Sequence, residues 1–91
     1  MRLTIYINSD KSFTVNAFDN DGFTAGALNT HSVIDAVFFI DSIRNKEPEA
    51  VEAKVVDHNG KEHQLSMIST RLHMRVTLRN YIDLMEEEAH A

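Results

Sequence analysis

The twelve residues Ser69–Asn80, "STRLHMRVTLRN", can be read two ways, and the choice decides how the chain closes its core. Leu72, Met74, Val76 and Leu78 alternate with Arg71, His73, Arg75, Thr77 and Arg79, which is the two-residue period of a strand with one dry and one wet face. As a strand, Leu72, Met74 and Val76 face the core. A loop at Ile68–Arg71 then seats Leu72 opposite Met67, and Thr77 caps a helix with the stripe Leu78, Tyr81, Ile82, Met85 and Ala89. One continuous helix from Ser69 instead has the stripe Met74, Leu78, Ile82, Met85 and Ala89. Leu72 and Val76 are left on its opposite side, in need of separate cover. Strand then helix is the expectation.

Working back along the chain, the preceding hairpin fixes its own register. A two-residue Asn59-Gly60 loop mixes charge and core on one face. A three-residue loop, His58-Asn59-Gly60, pairs Val51 with Met67, Ala53 with Leu65, Val55 with His63 and Asp57 with Lys61, and so collects the apolar residues on one side. Gly60 then takes the positive φ at the bulge.

The N-terminal half repeats this logic. Leu3, Ile5 and Ile7 pair with Ala17, Val15 and Phe13 around a Ser9-Asp10-Lys11 loop. The turn "DNDG" (Asp19–Gly22) follows, and Phe23, Ala25 and Ala27 form a short third strand, weak because of Gly26. The next element is a helix capped by Thr30 or Ser32, with Asp35 completing a capping-box variant and Val33, Ala36, Val37, Ile40 and Ile43 forming one stripe. Arg44 and Lys46 suit its C-terminal end, and Pro48 stops it. Ile34 and Phe38 fall outside the stripe; they widen the buried face or protrude as a contact patch.

Residues 1–91 therefore read as a single α+β domain, a two-layer sandwich of an antiparallel sheet of four to six strands packed by two helices. Each half, 1–47 and 49–91, runs strands then helix, a possible duplicated unit.

Composition excludes more than it assigns. With no cysteine among 91 residues, a disulfide framework and a thiolate metal site are both impossible. The longest apolar run, Ala36–Ile40, falls far short of the ~20 residues that span a bilayer, and the alternating start "MRLTIYIN" lacks a signal core. A cytoplasmic protein without membrane contact is the default expectation. A net charge of −5 argues against nucleic-acid binding by bulk charge, and Glu86-Glu87-Glu88 is too short a run for a DNA mimic.

No catalytic constellation emerges. There is no Gly-x-Ser-x-Gly elbow and no glycine-rich phosphate loop, and Asp19 with Asp21 fits turn formation better than a calcium loop. No cofactor is expected. His58, His63 and His73 do not converge in the hairpin register above, so no metal site is expected either. A row of arginines remains: Arg71, Arg75 and Arg79 share one side of a strand and one flank of a helix alike. With His73, Ile34 and Phe38 they make up the candidate partner-binding set. The function expected is a non-catalytic protein-binding module, an inhibitor or adaptor that blocks the surface of a partner bearing acidic or phosphate groups. Compact acidic domains of this kind suit phage or mobile-element proteins aimed at host machinery or defence. Two alternatives are a homodimer subunit joined through Ile34 and Phe38, and a weak RNA or single-strand binder that adds Tyr6 to Arg71, His73 and Arg75.

Overall fold

Alternation builds the first sheet pair. In β1 (Arg2–Ile7) the side chains of Leu3, Ile5 and Ile7 are buried, and β2 (Phe13–Phe18) returns antiparallel with Phe13, Val15 and Ala17 buried. Ile7 lies opposite Phe13, Ile5 opposite Val15 and Leu3 opposite Ala17, the register that a shared apolar face demands. Lys11 closes the loop at φ 68°, the left-handed position required at the third loop residue. The computed structural model describes residues 1–45, 52–66 and 70–89.

β3 (Thr24–Thr30) extends the sheet with the parity opposite to that expected. Gly26, Leu28 and Thr30 stand opposite Ala17, Val15 and Phe13, while Ala25 and Ala27 face solvent. The cause sits on the first helix: a Cβ at Gly26 would lie 3.2 Å from Cζ of Phe39, so the strand turns its bare backbone under that ring. An irregularity between Ala17 and Phe18 absorbs the change of register.

α1 (Val33–Arg44) starts where the cap predicts, with the Asp35 N–H donating to Ser32 Oγ at 3.2 Å. Ala36, Val37, Ile40 and Ile43 are buried, and so is the charged Asp41. β4 (Glu52–Val56) and β5 (Glu62–Leu65) pair Ala53 with Leu65 and Val55 with His63. The Asp57 N–H donates to the Lys61 carbonyl at 2.9 Å, and Gly60 has φ 81°, as the three-residue loop requires.

The strand order is β3-β2-β1-β4-β5, with β4 parallel to β1. The fold is thus α+β with a five-stranded sheet and two helices, but the sheet is mixed where an antiparallel one was expected. The reason is topological: the chain crosses the sheet through α1 and enters β4 from the same end as β1, and parallel neighbours require such a crossover. One core joins the inward row of the sheet to the stripes of both helices. β2 lies beyond β1 and β5 beyond β4, on opposite sides of the parallel pair.

From Arg71 to Asn80 the opening stretch is helical. α2 (Arg71–Ala89) buries Met74, Leu78, Ile82 and Met85, and leaves Leu72 and Val76 exposed. Thr70, not Thr77, caps it: the His73 N–H donates to Thr70 Oγ1 at 3.1 Å, whereas the mid-helix Thr77 hydroxyl donates to the His73 carbonyl at 2.9 Å. The apparent alternation is two interleaved pairs spaced by four, Met74 with Leu78 inward and Leu72 with Val76 outward. The pairing of Val51 with Met67, the roles of Lys46 and Pro48, and the Ile68–Arg71 loop fall wholly or partly outside the described residues.

Candidate functional site

The seam between α1 and α2 carries most of the residues flagged in the sequence. Its anchor is Asp41, which arises on α1 with only 5% of its surface exposed. Oδ1 of Asp41 accepts from Nε and Nη2 of Arg44, both at 2.6 Å, and Oδ2 accepts from Nε of Arg71 at 2.6 Å. Burial alone would raise the Asp41 carboxyl, but hydrogen bonds and charge from the two guanidinium groups hold it below the usual carboxylate range. Arg71 also rests over Phe38, with Cζ 5.3 Å from the ring centroid. It is therefore a strap between the helices, and much of its charge is answered within the chain.

Arg75, one turn further along α2, differs. It is exposed, and among the described residues it has no ion-pair partner. It borders two shallow depressions. One, of about 160 Å³, is lined by Ile34, Val37, Phe38, Leu72 and Arg71; the other, of about 360 Å³, by Val33, Ile34, Val76, Arg79 and Asn80. Four large apolar side chains remain about half exposed or more around it: Ile34 (48%), Phe38 (54%), Leu72 (63%) and Val76 (51%). Such a cluster on one side of a small protein, rimmed by cations, is the kind of surface that marks an interaction site. Arg79 closes the far rim, with Nε 3.5 Å from Asp83 Oδ1 one turn on.

His73 does not join this face. Two residues from either arginine, it points to the outer side of α2, because two helical steps rotate by ~200°. Tyr6 is further removed: it lies on the sheet face turned away from the helices, so Arg71, His73, Arg75 and Tyr6 do not share one face. Leu72, Val76 and Asp41 were missed as site residues. Asp41 has a signal in retrospect, an acid three residues before Arg44 beside an apolar stripe.

A second cluster pins the other end of α2. His63 Nε2 lies 2.9 Å from Asp57 Oδ2, and its ring tilts against Tyr81 at 5.3 Å. The hydrogen bond from His63 is the main reason the Asp57 carboxyl sits below its ordinary range; backbone N–H groups of Lys61 and Asn59 add to it. Burial, then the Asp57 charge, pushes the Tyr81 hydroxyl up. His58 pairs with Glu88. His63 and His58 are each matched to their own carboxylate, and no group of three metal-ligating side chains occurs among the described residues. No helix among them is long and apolar enough to cross a membrane.

No protein-family model, curated protein or solved structure matches this chain.

Proposed function

We propose that this chain is a small protein-binding module, of the inhibitor or adaptor type, that works by seating the α1–α2 seam on a partner. The observation that carries this reading is Arg75: an exposed cation with no ion-pair partner among the described residues, set between depressions walled by Ile34, Phe38, Leu72 and Val76. The matching partner surface presents an apolar anchor flanked by carboxylates, because a guanidinium recognises a carboxylate through two parallel hydrogen bonds. Arg71 contributes packing over Phe38 more than free charge, since Asp41 already holds it. Purification from the native host on immobilised wild-type, Arg75→Glu and Phe38→Ala proteins tests the reading. A protein retained by wild type and lost from both variants, at unchanged melting temperature, is the expected result. Identical retention by all three overturns it.

A further inference from the structure

α2 carries its charges against its own dipole. Arg71, Arg75 and Arg79 occupy the N-terminal half, Asp83, Glu86, Glu87 and Glu88 the C-terminal half, and the first turn holds no acid and the last turn no base. Helix ends favour the reverse arrangement. Contacts inside the chain answer part of this: Asp41 takes Arg71, Arg79 approaches Asp83 at 3.5 Å, Lys11 approaches Glu86 at 3.5 Å, and His58 takes Glu88. They leave the outer face untouched. There Leu72, Val76, Asn80 and Leu84 follow one another at steps of four, and the three aliphatic side chains are 63%, 51% and 50% exposed.

We infer that this outer face of α2 binds a second copy of itself, antiparallel, about a two-fold axis near Asn80. The inference rests on the binding reading above, because Leu72, Val76 and Arg75 belong to both surfaces. It names a regulation of that site: the homodimer is the closed form that a partner must displace. Three features fit only the antiparallel copy. The basic half of each helix lies on the acidic half of the other. The opposed dipoles attract. With Asn80 beside Asn80, Val76 meets Leu84 of the second copy, and Arg75 comes to the flank that carries its Asp83. A paired central Asn also penalises other registers, where it would be buried alone.

Sedimentation velocity on the purified chain tests this, at protein concentrations up to about 100 μM and salt from about 50 to 500 mM. The wild type should dimerise and weaken as salt rises. Arg75→Glu and Asp83→Arg should each weaken the dimer about tenfold or more, because the two-fold repeats every change twice. Their combination should recover most of the loss, since Glu at 75 then faces Arg at 83 of the other copy. Leu84→Glu should give a monomer whose melting temperature equals that of the wild type at concentrations low enough for the wild type itself to be monomeric. A monomeric wild type at low salt, a double variant no better than the singles, or a dimer indifferent to Leu84→Glu overturns the inference. A monomeric wild type whose captured protein is still lost on Arg75→Glu removes the dimer and leaves the binding reading standing. A dimer that obeys the charge swap while capture ignores Arg75 does the opposite.

Discussion

The two ends of α2 meet the rest of the molecule differently. At the C-terminal end both hairpins reach up to it, Lys11 to Glu86 and His58 to Glu88, and Tyr81 lies against His63. At the N-terminal end the buried carboxylate of Asp41 holds Arg71, and beyond it Leu72, Arg75 and Val76 border α1 and stay exposed. One end is closed by the fold. The other is held just firmly enough to keep an apolar, cationic surface in place, so the partner reading belongs there and the histidine cluster reads as fastening.

The strongest way to break that contrast is to compare the inward and outward pairs of the same two turns. Leu78 is fully buried, so Leu78→Ala should cost about 2–5 kcal/mol of stability through lost contact and a residual cavity. Leu72→Ala, at 63% exposure, should change it by no more than about 0.5 kcal/mol. Urea unfolding of both variants checks this. Equal losses would mean that the outer face is covered, and the candidate site would go with it.

A smaller effect sharpens the role of the strap. Asp41 and Asp57 both have folded-state carboxyls below the ordinary value of 3.8. A depressed folded value means that the stabilisation is complete above the unfolded value and disappears as pH falls through the folded one. Stability should therefore hold from pH 7 to about 5 and drop below about 4. Asp41→Asn should cost about 1–3 kcal/mol at pH 7, the worth of hydrogen bonds to charged groups, and progressively less as the wild-type carboxyl protonates. Thermal melts across that range decide it. A constant penalty would show that the strap works by shape and not by charge.

How much of this was legible depends on whether two periods compete. The registers of both flanking hairpins follow from alternation because a one-residue slip inverts every side chain, and Ile5 opposite Val15 or Ala53 opposite Leu65 are the pairings that avoid it. In β3 the same rule failed: Gly26 faces inward for the sake of Phe39, a tertiary contact that strand preference does not encode. Between Arg71 and Leu78 two inward and two outward residues mimic a strand, and only the core settles which pair is dry. The arginines stayed on one flank under either period, so that part of the site was legible. The apolar partners beside them were not, because alternation places Leu72 and Val76 in the interior.

The smallest prediction returns to the clamped end and sets its two hairpins against each other. Their loops share one geometry, but the left-handed position is a lysine at φ 68° in the first and a glycine at φ 81° in the second. A non-glycine residue there carries roughly 1–2 kcal/mol of steric cost. Lys11→Gly relieves it, at the expense of the entropy glycine adds to the unfolded chain, about 0.4–1 kcal/mol. It also gives up the exposed Lys11–Glu86 pair, worth a few tenths of a kcal/mol at most on the scale of about 0–1 for such pairs. The net expectation is a gain of about 0.5 kcal/mol or less. Gly60→Ala, where a Cβ meets nothing within 4 Å, isolates the backbone cost alone and should lose about 1 kcal/mol. Chemical denaturation of the two variants separates backbone from clamp. A net loss on Lys11→Gly would mean that Lys11 serves α2 more than it strains its own turn.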